Sequence, residues 1–126
     1  MKKKIINTAN APAPIGPYNQ AIMIDDILYI SGQVCIDPVT NNLKNKDLQE
    51  ETHQVMANLN AILQAAGMSF SNVVKTTIFL TDMSRFSELN EIYGKYFDDD
   101  FPTRETVQVS ALPKFVNVEI SMIAAR

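Results

Sequence analysis

An arginine and a glutamate near the C-terminal end are the residues of this chain best suited to chemistry. Arg104 lies in Phe101-Pro-Thr-Arg-Glu-Thr-Val-Gln-Val, and Glu119 in Val116-Asn-Val-Glu-Ile-Ser-Met. A guanidinium presents a planar fork of donors that fits a carboxylate. A glutamate can take up and return a proton. Side by side, the two would place a carboxylate receptor next to a base. Both segments alternate apolar and polar residues, as half-buried strands do. Val107 and Val109 share one parity, with Arg104, Thr106 and Gln108 on the other. Val116, Val118, Ile120 and Met122 share a parity, with Asn117, Glu119 and Ser121 opposite. A hairpin turning around Ala111 to Pro113 would set Arg104 and Glu119 about opposite each other on one face. On pattern alone, a structural cross-strand ion pair and a functional site are equally good readings of the two.

Other polar residues fall at element ends. Tyr18 follows the Gly16-Pro17 turn, Ser31-Gly32-Gln33 closes a strand, and Asn90 sits on a predicted helix. Each also has a plain reading as loop packing, a cap or a turn. Standard constellations are missing: the chain has neither GxGxxG nor a P-loop signature, and no His, Cys and Asp cluster has metal-ligand spacing. Asp98-Asp99-Asp100 reads as a solvated link after a helix. The single cysteine, Cys35, reads as a small buried hydrophobe. The single histidine, His53, lies off the apolar stripe of its helix and reads as a flank residue.

The elements that must position these groups follow from periodicity. Residues 2–6 read as a short strand whose lysines discourage edge pairing. A loop with Pro12, Pro14, Gly16 and Pro17 follows. Strands are predicted over 20–24 and 27–31, with a turn at Asp25-Asp26, and Asp37 to Asn42 forms a second turn. Asp47 and Glu50 form a capping-box pattern. Leu48, Thr52, Val55, Met56, Leu59, Ile62, Leu63 and Ala66 then recur at helical spacing up to Gly67. Val73 to Leu80 reads as a buried strand. A second helix is predicted over 84–97, with Phe86, Leu89, Ile92, Tyr93, Tyr96 and Phe97 as its apolar stripe. The order implies one α+β domain over 1–126, with helices on one face of a sheet. The other face, of mixed polarity, suits packing against another subunit.

Composition narrows the classes. With 126 residues, 46% of them apolar and 20% charged, the chain can bury one core. A net charge of -3 argues against nucleic acid as the main partner. No apolar run approaches a membrane span, and the basic start lacks the apolar stretch of a secretory signal. One cysteine fits a reducing compartment, so the cytoplasm is the expected location.

Five ordered stretches then resemble the Rid family of reactive-intermediate deaminases, also called the endoribonuclease L-PSP family. They are Ala13-Pro-Ile-Gly-Pro-Tyr-Asn-Gln-Ala, Leu28-Tyr-Ile-Ser-Gly-Gln, Gln54-Val-Met-Ala-Asn-Leu, Val74-Lys-Thr-Thr-Ile-Phe-Leu-Thr-Asp and Asn90-Glu-Ile-Tyr. The Phe-Pro-Thr-Arg and Leu-Pro…Val-Glu-Ile region completes the match, which spans nearly the whole chain. The resemblance implies a chorismate-mutase-like fold and a homotrimer whose sheets form a barrel, with sites between subunits. It implies hydrolysis of small 2-imino or enamine acids to 2-keto acids and ammonia, with no cofactor or metal. Arg104 would hold the substrate carboxylate and Glu119 would orient water and move protons. Tyr18 and Ser31 would line the pocket, Gly32 and Thr106 would offer backbone groups, and Asn90 would be a peripheral contact. Two departures stand out. Thr106 occupies a position where many members carry cysteine, and Glu105 follows the arginine where many carry a small or apolar residue. Strand alternation points Glu105 away from the Arg104 face. Other readings are a non-catalytic keto-acid-binding module and a ribonuclease or translation inhibitor, against which the acidic balance speaks.

Overall fold

The computed structural model describes residues 2–126. Six strands and two helices form it: β1 (Lys3–Ile6), β2 (Ala21–Ile24), β3 (Ile27–Gln33), α1 (Leu48–Ala65), β4 (Val73–Leu80), α2 (Phe86–Gly94), β5 (Thr103–Gln108) and β6 (Val118–Ala125). The strands make one sheet in the order β1-β2-β3-β6-β4-β5. All pairings are antiparallel except β4 with β5, which run parallel with α2 as their crossover. This is the α+β architecture expected from the element order. No helix among the described residues is long and apolar enough to cross a membrane.

Helix α1 starts and stops where local chemistry dictates. The Asp47 side chain accepts from the Glu50 N–H at 2.7 Å. Glu50 in turn accepts from the Lys46 N–H, one residue before the expected capping-box partner. At the other end Gly67 takes φ 73. The Gly67 N–H then reaches the Gln64 carbonyl and the Met68 N–H the Leu63 carbonyl, a Schellman closure. Val55, Met56, Leu59, Ile62 and Leu63 of α1 pack on Leu28, Ile30, Ile78, Leu80, Ile120 and Met122 of the sheet. Alternation in β6 is complete: Val118, Ile120, Met122 and Ala124 are buried, and the residues between them are not. Cys35 lies wholly buried in this core, as its reading as a hydrophobe requires. Helix α2 is shorter than its apolar stripe. A 3-10 turn, Met83–Arg85, precedes it, and the chain leaves the helix after Gly94. Tyr96 and Phe97 still join an aromatic cluster with Phe70 and Tyr93.

The expected β5–β6 hairpin does not form. The parallel strand β4 stands between the two, pairing with β5 on one side and β6 on the other. The connection from Gln108 to Val118 is too long for a tight turn and contains its own 3-10 turn, Pro113–Phe115. β4 buries one face through Val73, Thr76, Ile78 and Leu80 and takes the inner position. β5, with little apolar surface, takes the edge. In register, Arg104 lies opposite Thr76 and Glu119 opposite Phe79. Cross-strand partners share a face. Thr76 is buried towards the helices and Phe79 lies on the other face. Arg104 therefore turns towards α2, and Glu119 towards the uncovered side of the sheet. A flat sheet with about 3.3 Å per residue and about 4.8 Å per strand puts their Cα atoms on the order of 14 Å apart.

Candidate active site

Glu119 stands in a cleft of about 270 Å³ lined by Ile15, Tyr18, Ser31, Gly32, Val34, Pro113 and itself. The cleft owes its shape to an irregularity in β3. Ile30 pairs with Met122 and Gln33 with Ile120, so Ser31 and Gly32 together face Ser121. Such a bulge bends the strand and re-aims its side chains. The Ser31 hydroxyl donates to the Asn19 carbonyl at 2.6 Å, and its N–H donates to the Gln20 carbonyl at 2.9 Å. A Cβ built on Gly32 would meet Glu119 Oε2 at 2.6 Å. Glycine is thus required here by the close approach of the carboxylate. Burial raises the Glu119 pKa above the ordinary carboxylate value. Among the described residues Glu119 forms no ion pair.

The loop that carries Tyr18 is fixed by Gln20. This side chain is buried, and its amide donates to the carbonyls of Thr8, Ala11 and Pro12 while its oxygen accepts from the Thr8 N–H. The Tyr18 hydroxyl accepts from the Ile15 N–H at 3.1 Å. Sequence reasoning gave Gln20 no role, because a glutamine at a strand start carries no sign of burial.

Arg104 stands in a separate cleft of about 280 Å³ with Asn90, Tyr93, Gly94, Phe101 and Pro102. Its guanidinium carbon lies 5.4 Å from the centre of the Phe86 ring and 5.2 Å from that of Tyr93. Both are cation–π distances. The Tyr93 hydroxyl donates to Thr76 Oγ1 at 3.0 Å, and burial raises its pKa, so the ring stays neutral beside the cation. No carboxylate among the described residues pairs with Arg104. Phe86 and Tyr93 were legible as an apolar stripe. Their second task, flanking the guanidinium, was not, because it depends on β5 lying beside α2. Asn90 Oδ1 and Thr106 Oγ1 are buried without a hydrogen-bond partner. Buried polar atoms are normally satisfied. Thr106 shares the Arg104 face of β5, opposite Ile78.

The seven candidate residues thus divide. Tyr18, Ser31 and Gly32 gather around Glu119. Asn90 lines the cleft of Arg104, with Thr106 two residues along the same face. Arg104 and Glu119 are not opposite each other, and the cross-strand ion pair does not exist within the protomer. Glu105 points away from Arg104, as alternation requires, and pairs with Lys75 at 3.7 Å on the other face. Cys35 takes no part: burial, then the nearby Glu51 charge, push its thiol up to about 11. His53 bonds the Tyr96 hydroxyl through Nδ1.

A family model described as endoribonuclease L-PSP matches residues 8–126. The 2-iminobutanoate/2-iminopropanoate deaminase of Bos taurus is 48% identical over 124 residues, covering 98% of this chain and 90% of that one. Among solved structures, a member of the conserved Rid family from Yersinia pestis superposes with TM-score 0.96 at 48% identity, covering 99% of this chain and 100% of that one. E. coli TdcF with bound serine superposes with TM-score 0.93 at 40% identity, covering 98% of each. A single sheet backed by two helices, the two charged clefts and this likeness along the whole chain lead to one assignment: the chain belongs to the endoribonuclease L-PSP, or Rid, family.

Proposed function

We propose that the protein is a 2-iminobutanoate/2-iminopropanoate deaminase, hydrolysing reactive imino acids to 2-keto acids and ammonia. The observation that carries this reading is the pair of uncompensated charges. A guanidinium held between aromatic rings, with no carboxylate of its own, is a receptor for a substrate carboxylate. A half-buried carboxylate with no cation is available for proton transfer, and its raised pKa brings it nearer the working pH.

The chemistry needs little more. The carbon of a protonated imine is already electrophilic. Water, oriented by Glu119, attacks it. The new C–O bond forms as the C=N π pair moves to nitrogen, and Glu119 takes the water's proton. Returned to the nitrogen of the carbinolamine, that proton makes it a leaving group. The C–N bond then breaks as the carbinolamine hydroxyl gives its proton to the again free Glu119 carboxylate, so ammonia departs and the carbonyl forms. Tyr18, Ser31 and Gly32 wall the reacting centre on the Glu119 side. Asn90 and Thr106 offer polar atoms on the Arg104 side. Much of the acceleration would come from holding substrate and water in place.

Since Arg104 and Glu119 leave opposite faces of one sheet, a complete site takes one half from each of two copies. We therefore place the sites at subunit boundaries of a homotrimer, and the protein in the cytoplasm, where a lone reduced cysteine is at home. The test couples the protein to a threonine dehydratase and follows 2-ketobutyrate. Faster release, lost in Arg104→Ala, is the expected result. An unchanged rate with wild-type protein sinks the reading. Keto-acid binding without turnover would instead mark a binding module.

A further inference from the structure

Glu51 lies in the first turn of α1 and is wholly buried. A buried carboxylate is tolerated only when donors surround it. Three donors converge on this one, all from a single dipeptide far along the chain. The Asn117 N–H reaches Oε2 at 2.7 Å and the Val118 N–H reaches the same oxygen at 3.0 Å. Asn117 Nδ2 reaches Oε1 at 2.8 Å. The next residue is Glu119.

The contact sits where β6 enters the sheet. Beyond it, Val118 and Glu119 are held by their pairing with Leu80 and Phe79. Before it, the chain comes from the exposed 3-10 turn Pro113–Phe115, where Lys114 and Phe115 adopt φ 57 and 56. Such left-handed backbone is strained for residues with side chains. Glu51 thus separates an irregular loop from the strand that carries the acid/base. Glu119 has little room for error, because its carboxylate lies hard against Gly32.

We propose that Glu51 is a positioning residue for the reaction: it clamps the backbone of Asn117 and Val118, and so holds the Glu119 carboxylate against Gly32 and towards its water. The inference rests on the reading of Glu119 as acid/base. The clamp needs acceptors, not charge. Glu51→Gln keeps an oxygen for both backbone N–H groups, and its amide can donate to Asn117 after that side chain's amide flips. Glu51→Leu fills similar space and removes every acceptor.

The experiment measures steady-state kinetics and amide hydrogen exchange on four proteins: wild type, Glu51→Leu, Glu51→Gln, and Glu51→Leu combined with Glu119→Gln. Glu51→Leu is expected to lower kcat about 10- to 100-fold, the scale of a small misplacement, with KM within about threefold of wild type. Exchange at Val118 should accelerate in the same variant. Glu51→Gln should restore both to within about fivefold, because its oxygen still accepts the two backbone bonds. On the Glu119→Gln background, Glu51→Leu should lower kcat no further, because residues acting through one group are not additive. A multiplicative loss in the double variant, or unchanged Val118 exchange in Glu51→Leu, overturns the inference while leaving the deaminase reading intact. Absence of wild-type turnover overturns that reading and this inference with it. Should Glu51→Leu fail to fold, Asn117→Ala removes one of the three bonds from an exposed side chain. It should lower kcat about two- to tenfold, again with no effect on the Glu119→Gln background. Wild-type kcat in Asn117→Ala overturns the clamp.

Discussion

A carboxylate half-buried without a cation is held in an unfavourable place, and Glu119 is such a group. Burial raises its pKa in the folded chain. In the unfolded chain it titrates near the ordinary glutamate value of about 4.3. Between those two values the folded state binds more protons, so stability falls as pH rises through this window. Above the folded value the penalty is complete; below the unfolded value it is absent. Glu119→Gln should therefore melt at a higher temperature than wild type at pH 7, while the gap closes near pH 4. Melting curves at the two values check this, and equal Tm at pH 7 counts against it. The same variant should lose turnover, the usual trade where a site is destabilised for function. Gly32 makes a complementary case. Its backbone needs no special φ, so the constraint is contact alone. A methyl in Gly32→Ala would overlap Glu119 Oε2. Turnover should fall about 100-fold, as for a misplaced catalytic group, with Tm nearly unchanged. Wild-type kcat in Gly32→Ala would show that the carboxylate is free to move aside.

At the scale of elements, the first turn of α1 ties stability to the site. Asp47 caps the helix, and Glu51 reaches the start of β6 one turn later. Asp47→Ala should lower unfolding free energy by about 1 kcal/mol, measured by denaturant titration. α1 was legible in the sequence from Asp47 to Gly67, because caps and 3.6-residue spacing are decided within a few neighbours. The inward face of β6 was legible for the same reason, and β4 was legible as a buried strand though not by face. The neighbour of β5 was not. Alternation says which residues share a face, but it does not say which strand lies alongside. Arg104, Thr106 and Gln108 share a polar face, but only the strand order shows that it turns towards α2 and its approach, where Gln108 accepts from the Met83 N–H and Arg104 meets Phe86 and Tyr93. Candidate site residues were found by type, but their grouping required the strand order. Gln20 and Glu51 were passed over because buried polar residues look like surface ones until their distant donors and acceptors are known.

At the scale of the whole molecule, one protomer sets Glu119 and Arg104 in two separate clefts on opposite faces of its sheet. Thr76 and Phe79, the β4 partners of Arg104 and Glu119, turn to opposite faces. The uncovered face also exposes Ile5, Ile27, Tyr29 and Val107, an apolar surface that another copy would cover. If sites form between copies, each needs an intact Arg104 from one chain and an intact Glu119 from another. Arg104→Ala and Glu119→Gln proteins, each with little residual turnover alone, should then complement when unfolded together and reassembled. With random mixing at equal amounts, about one site in four receives both intact halves, whatever the number of copies in a closed ring. Activity should recover to about a quarter of wild type on that count. Mixing the folded variants without exchange of subunits should recover none. Recovery absent after verified co-assembly would mean that both groups act from the same chain, and the division of the site between copies would have to be given up.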